Sequence, residues 1–180
     1  AQVSVDDYTR RSWIQKMDTK DEALEKFKIL KAEIEVDKAP YKVAIMRTDG
    51  GTEYESNLWH AFREENGIAH EQSTPYRQGG NGVAERRVQV IGYAARAMLL
   101  YANSPEDDTE DAFSHANCCA NNFPTKANKH SRTPNEMWYG VRLEISAKLG
   151  QGPFGCLVYY HTHKKERQNK MGDRARPAFY

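Results

Sequence analysis

The sequence predicts a mixed α/β fold in which helices flank a central sheet. Short apolar runs such as YKVAIMRT alternate along the chain with longer segments whose apolar residues recur at helical spacing, such as TKDEALEKFKILKAEIE. Turn-forming residues separate these segments, and 180 residues are enough to bury a core in one domain. Strands that alternate with helices in this order are typical of a layered α/β architecture.

The first half of the chain carries clear signals for each element. VSVDDYTRRSWIQKM predicts a hairpin of two strands around a polar turn. Thr19 and Glu22 have the spacing of a capping box at the start of the first helix. YKVAIMRT predicts a buried strand, SNLWHAFREENG a helix that begins at Ser56 and ends at Gly67, and IAHEQS a short strand.

The second half begins with TPYRQGGNG, which predicts a mobile loop because glycine places little steric restraint on the backbone. VAERRVQVIGYAARAMLLYA predicts the longest helix, and EDAFSHANCCANNFP predicts another that ends before Pro124. TPNEMWYG predicts a helix with Thr133 as its cap and Pro134 at its first position. FGCLVYYHTH predicts a late strand before a basic tail, so we expect a core at 1–150 and an extension at 151–180.

Three features of composition restrict the class of protein without choosing a function. Net charge is −4 over residues 1–85 and +5 over 86–180, which suits a metal site beside a phosphate-binding face and equally an ordinary soluble protein. No run of 18 apolar residues occurs, so we expect no membrane span. The three cysteines lack disulfide or zinc spacing, which favours a reducing, intracellular compartment.

Asp49 and Glu85 form the candidate metal site. Asp49 follows a predicted strand, Glu85 lies in the first turn of the longest helix, and 35 residues separate them. Two carboxylates brought together by a fold repel unless a cation lies between them or one is protonated, and Mg²⁺ binds such carboxylates together with water and phosphate oxygens. The alternative is structural, because Asp is a common turn residue and the helix dipole favours Glu in a first turn.

Four longer motifs occur in a fixed order: RTDGGTEY, GIAHEQSTPYRQGGNGVAERRVQVIGYAARAML, PTKANKHSRTPNEMWYG and FGCLVYYHTHKKERQNKMGDRARPAFY. Together with VDDYTRRSW they resemble the catalytic core of integrases from copia-type LTR retrotransposons, over nearly the whole chain. The resemblance implies the ribonuclease-H-like fold of retroviral-type integrases and a catalytic Asp, Asp, Glu triad that binds two Mg²⁺ or Mn²⁺ ions. Asp49 matches the second acid of that triad and Glu85 the third.

The first acid of the triad has no match in this chain. The resemblance places it on a core strand upstream of VSVDDYTR, and we expect that strand to be absent here, because Asp6 and Asp7 are more simply turn residues of the DDYTR segment. Departures from the family pattern occur after Asp49, in PYRQGGNG and in ERRVQ. A catalytically inactive relic or a domesticated DNA-binding or interaction module with the same fold therefore stays open.

By resemblance, the enzyme processes the 3′ ends of element DNA and joins them to target DNA, as a homo-oligomer and, in a eukaryotic host, in the nucleus. A more general nuclease of the same superfamily is a further alternative. DNA affinity should come from contacts to phosphates, although each candidate could instead be solvated surface. The candidate DNA contacts are Arg77, Arg86, Arg87, Gln89, Lys164, Lys165 and Arg167.

Overall fold

The computed structural model describes residues 1–49, 51–72, 81–142, 152–161, 163 and 175–179. The chain divides into two compact units, residues 1–89 and 90–180. Helices and strands alternate as predicted, so the mixed α/β class is confirmed. The helices are α1 (Ala23–Asp37), α2 (Asn57–Asn66), α3 (Gly82–Ala102), α4 (Thr109–Asn122) and α5 (Pro134–Tyr139). The strands are β1 (Gln2–Val5), β2 (Ser12–Gln15), β3 (Ile45–Thr48), β4 (Ala69–Gln72), β5 (Leu157–His161) and β6 (Ala175–Phe179).

β1 and β2 form the predicted antiparallel hairpin. Asp6 closes its turn, because its Oδ2 accepts hydrogen bonds from the Thr9 backbone N–H (2.8 Å) and from the Thr9 hydroxyl (2.6 Å). The Asp7 carboxylate pairs with the Arg10 guanidinium at 2.6 Å. The interpretation of Asp6 and Asp7 as turn residues is therefore confirmed.

One apolar cluster holds the first unit together. The capping box predicted at Thr19 and Glu22 forms in the 3-10 turn that leads into α1. α1, β3 and α2 then each contribute apolar side chains, and the rings of Phe27 and Trp59 lie 5.4 Å apart. The buried members are Ala23, Leu24, Phe27, Met46, Trp59 and Ile68. This cluster supports both the strand that precedes Asp49 and the helix that follows it.

β3 is shorter and more exposed than the sequence predicts. The buried strand expected over YKVAIMRT reduces to Ile45–Thr48, where Met46 and Thr48 are buried and Ile45 is 58% exposed. Successive side chains of a strand point to opposite faces, and only one face of β3 is covered. β3 pairs in parallel with β4, and α2 lies in the crossover between them. Asp49 therefore follows the carboxyl end of a parallel strand, as predicted.

The described strands pair two by two. β1–β2 and β5–β6 are antiparallel and β3–β4 is parallel, so both pairing modes of a mixed sheet are present. The sequence predicts one central sheet. The described strands do not form one continuous sheet, because each of them hydrogen-bonds to one neighbour.

β6 lies in the segment for which the sequence predicts only a basic tail. It pairs with β5, and Pro177 stands opposite Tyr159. Proline has no N–H to donate and is confined to strand edges, so ARPAF gives a weak strand signal. The partner strand, more than the local sequence, makes this segment extended.

The second unit packs its helices through small residues. Two positions on α3 and two on α4 are fully buried: Ile91, Ala95, Ala112 and Ala116. Asn135 Nδ2 donates to Asn122 Oδ1 at 2.9 Å and so connects the start of α5 to the end of α4. None of the described helices is long and apolar enough to cross a membrane.

α5 forms as predicted, with Thr133 as its cap and a capping box to Glu136. Trp138 of this helix is buried. Tyr139 is 45% exposed at the last position of this six-residue helix, which Gly140 ends.

We expect Trp59→Ala to lower the free energy of unfolding by about 3–5 kcal/mol, because it leaves a cavity in the core of the first unit. Trp59 is 3% exposed, whereas the adjacent Leu58 is 72% exposed. Leu58→Ala is the matched control and should change stability by less than about 0.5 kcal/mol. Urea denaturation of both variants measures the difference, and equal losses would contradict this assignment of the core.

Candidate active site

Asp49 lies at the carboxyl end of β3 with its side chain exposed. Arg47, two positions earlier, donates two hydrogen bonds to Glu71 Oε2 on β4, from Nε at 3.0 Å and from Nη2 at 2.7 Å. Glu71 also raises the pKa of Arg47 through this pairing. The cation nearest to Asp49 in sequence is thus already neutralised, which leaves the Asp49 carboxylate available to another cation.

The backbone immediately before Asp49 is fixed by a side-chain hydrogen bond. Thr48 is buried, and its Oγ1 lies 2.8 Å from His70 Nε2 on β4. Burial lowers the pKa of His70, and the positive charge of Arg63 lowers it further. The His70 side chain therefore holds the end of β3 at the point from which Asp49 projects.

A buried cation holds the 3-10 turn Thr52–Glu55, which follows Asp49 in the chain. Arg63 of α2 is only 5% exposed, and its Nη1 donates to the Tyr54 carbonyl at 2.9 Å. Its Nη2 lies 3.0 Å from His60 Nδ1. Tyr54 belongs to the 3-10 turn Thr52–Glu55 and packs its ring against Trp59 at 5.3 Å. The segment behind Asp49 is therefore anchored to α2.

Glu85 lies in the first turn of α3 with its side chain exposed. Its backbone N–H donates to the Asn81 carbonyl at 3.0 Å, so the helix is already formed at this position. Arg86 and Gln89 are also exposed, and Arg86 Nη1 donates to Gln89 Oε1 at 3.3 Å. These two predicted DNA contacts thus lie on the exposed surface of the same helix end.

Arg87 behaves differently from Arg86. Its Nε donates to Ser12 Oγ at 2.8 Å, and its Nη2 donates to the Arg10 carbonyl at 2.7 Å. Burial of the guanidinium lowers its pKa. Arg87 therefore connects the first turn of α3 to the β1–β2 hairpin, a structural role that the sequence does not predict. Its contact to DNA stays a prediction.

The two carboxylates belong to the same unit, and neither has an ion-pair partner among the described residues. In that part of the chain, no group of three or more His, Cys, Asp or Glu side chains could hold a metal ion. Mg²⁺ is commonly bound by one or two carboxylates plus water and substrate phosphates, so two exposed carboxylates suit its donor preference. That Asp49 and Glu85 share ions stays a prediction.

Other predicted DNA contacts lie outside the described residues: Arg77, Lys164, Lys165 and Arg167. The predicted mobile loop TPYRQGGNG lies outside them up to Gly80. The supporting residues His70 and Arg63 were missed by sequence analysis. A periodicity signal exists for both. His70 of β4 lies two positions after buried Ile68, which directly precedes the strand, and Arg63 lies four positions after buried Trp59 on α2.

The arrangement of these elements is that of the catalytic cores of retroviral integrases, which have a ribonuclease-H-like fold. The HTLV-2 integrase catalytic core domain in complex with magnesium, in its trimeric form, superposes with a TM-score of 0.56 at 19% identity, covering 74% of this chain and 80% of that one. A simian T-cell lymphotropic virus intasome gives a TM-score of 0.59 at 19% identity, covering 98% of this chain and 61% of that one.

The curated relatives are retrovirus-related Pol polyproteins of plant transposons. The polyprotein from transposon TNT 1-94 of Nicotiana tabacum is 29% identical over 177 residues, which are 98% of this chain and 13% of the relative. The polyprotein from transposon RE2 of Arabidopsis thaliana is 26% identical over 174 residues, which are 94% of this chain and 12% of the relative. No protein-family model matches the chain. The resemblance inferred from the sequence motifs is confirmed.

We expect Arg87→Ala to destabilise the protein by about 2 kcal/mol, because it removes charge-assisted hydrogen bonds to two partners that remain partly buried. Arg86→Ala is the matched control, since Arg86 is exposed and contacts Gln89 on its own helix. Urea denaturation measures both variants. Equal stability of the two would show that Arg87 does not hold the hairpin.

We expect His70→Gln to reduce the loss of stability on acidification. The ordinary pKa is 6.5, and the folded protein lowers it, so the unfolded chain binds the proton more tightly. The stability that neutral His70 contributes is complete above the unfolded pKa and is lost as the pH falls toward the folded pKa.

The measurement is the free energy of unfolding at about pH 7.5 and about pH 5.5, on either side of the unfolded pKa. The difference between the two should be smaller in His70→Gln than in the wild type. His130→Gln removes an exposed histidine and should keep the wild-type difference. An unchanged difference in His70→Gln would contradict the burial assigned to His70.

Proposed function

We propose that this chain is the catalytic core segment of a copia-type retrotransposon integrase, which processes the 3′ ends of element DNA and joins them to target DNA. The observation that carries the proposal is the placement of Asp49 after a parallel strand and Glu85 at the start of α3, as exposed carboxylates whose neighbouring residues are held by side-chain hydrogen bonds. The integrase-core fold and the Pol polyprotein relatives support it.

Asp49 and Glu85 would hold divalent cations, Mg²⁺ or Mn²⁺. Bound ions of this kind activate an attacking oxygen and neutralise charge on a phosphodiester during in-line displacement. A solved structure with this fold was obtained in complex with magnesium, which supports the choice of metal. The proposal includes a third carboxylate from a core strand outside this chain, because Asp6 is engaged with Thr9 in the hairpin turn.

The chain's own residues would position the reaction. The Thr48–His70 hydrogen bond restrains the residue before Asp49, and the Arg63–Tyr54 hydrogen bond restrains a turn five positions after it. Arg87 restrains the helix turn that carries Glu85. Such pre-organisation would hold the attacking oxygen and the phosphate in the right geometry for reaction. No covalent intermediate with the protein would be needed. Exposed Arg86 and Gln89 would contact the DNA backbone beside Glu85. The protein would bind its DNA as a homo-oligomer. In a eukaryotic host it would act in the nucleus.

We expect Asp49→Asn and Glu85→Gln each to reduce strand transfer more than about 100-fold, since loss of even an outer-shell partner of a metal ligand commonly costs 10–100-fold. The assay uses element-end DNA, Mg²⁺ or Mn²⁺, and a protein that also carries the upstream core strand. DNA binding should persist in both variants.

Asp7→Asn is the matched control, because Asp7 is an exposed turn acid paired with Arg10. It should keep wild-type strand transfer. Retained transfer in Asp49→Asn or Glu85→Gln would overturn the site. DNA binding without transfer in the wild type would favour the non-catalytic module, and hydrolysis without strand joining would favour a nuclease.

A further inference from the structure

The loop between α4 and α5 in the second unit is strongly basic. Residues 125–132, TKANKHSR, contain three Lys or Arg and one histidine, and no acid occurs between Asp111 and Glu136. The side chains of Lys126, Lys129 and Arg132 are all exposed. We call this segment the basic loop.

The basic loop is held in one conformation by its own hydrogen bonds. Asn128 is 4% exposed, and its Nδ2 donates to the Arg132 carbonyl at 3.3 Å. The Thr125 N–H donates to the same carbonyl at 3.4 Å, which closes the loop at its base. His130 and Ser131 both have positive φ, at 57° and 52°, so the chain reverses tightly between Lys129 and Arg132. The cations therefore project from a fixed turn.

The cations of the basic loop differ in their ion pairing from the lysines of α1. Lys26, Lys28 and Lys31 on α1 each have a glutamate partner one turn away. Lys126, Lys129 and Arg132 have no ion pair among the described residues. The nearest acid in sequence beyond the loop, Glu136, accepts from the Thr133 backbone N–H at 3.0 Å as part of the α5 cap.

Three cations that have no ion pair in the described part of the chain, on a loop closed by its own hydrogen bonds, favour a polyanionic partner. An acidic protein surface normally adds apolar or aromatic anchors to its charges, and the only apolar residue in the basic loop is Ala127. A nucleic-acid backbone needs no such anchor, because phosphate contacts alone supply affinity and position.

We propose that the basic loop binds the phosphate backbone of DNA, as a second contact surface in addition to the one beside Glu85. The inference deepens the proposed function and rests on it for the identity of the polyanion. The contact is independent of base sequence, and Lys126, Lys129 and Arg132 each neutralise a phosphate.

The test is fluorescence anisotropy of a duplex of random sequence, titrated with the 180-residue chain over a series of salt concentrations. The variant is K126A/K129A/R132A. Each lost phosphate contact lowers the slope of log K against log salt by about 0.9, so the triple variant should bind more weakly with a slope reduced by about 2–3.

The matched control is K26A/K28A/K31A, which removes the same charge from paired positions on α1. It should lower the slope by less than about 1. A wild-type slope in K126A/K129A/R132A, or an equal reduction in both variants, would overturn the proposal in favour of a solvated loop or a protein-binding one. Thermal melting of both variants verifies that each is folded.

The outcome is separable from that of the proposed function. Strand transfer that depends on Asp49 and Glu85, together with a wild-type salt slope in K126A/K129A/R132A, would leave the integrase assignment intact and reject the basic loop alone. Absence of DNA binding by the wild-type chain would reject the basic loop as well as the proposed DNA surface of this core.

Discussion

The hydrogen bonds of Arg87 to the β1–β2 hairpin determine how the start of α3, and with it Glu85, is placed in the first unit. Their partners are the Ser12 hydroxyl and the Arg10 carbonyl, and the latter is presented by a turn that Asp6 closes. The hairpin turn and the helix end are therefore one connected hydrogen-bonded structure. A cation with part of its surface buried needs such partners, because burial without them is costly.

The same arrangement recurs around Asp49. Its neighbours are held by polar groups that are themselves buried or partly buried, Thr48 by His70 and Tyr54 by Arg63. The carboxylates of Asp49 and Glu85 stay exposed, while the residues that hold their backbone do not. Rigid support behind exposed charged groups is what a site for metal and phosphate requires, because positioning errors of about 1 Å weaken both binding and catalysis.

The pairing of strands places a further constraint on the first unit. β1–β2 and β3–β4 are separate hydrogen-bonded pairs among the described strands, so each pair presents backbone donors and acceptors along its outer edge. Two helices and β3 of this unit share one apolar cluster, so side-chain packing holds them together in addition to the hydrogen bonds of the strand pairs.

Local chemistry in the sequence determined most of the elements and the identity of the candidate acids. The caps at Thr19, Ser56 and Thr133 form as predicted, because a cap depends on residues within one helical turn. Asp49 and Glu85 were singled out by their places after a predicted strand and in the first turn of a predicted helix, and by the family resemblance of the motifs around them. The extent of β3 and the existence of β6 were not predicted, because a strand depends on the partner that covers or pairs with it.

Tertiary structure alone decided which charged and polar residues support the site. Arg87 has the same side chain as its neighbour Arg86, yet its partners lie 75 and 77 residues away in sequence. His70 and Thr48 are 22 residues apart and meet because β3 and β4 run in parallel. The sequence by itself determined the local elements and the candidate carboxylates. Contacts between distant segments decided which residues hold the backbone near those carboxylates, because the burial of a polar side chain depends on neighbours that only folding brings near.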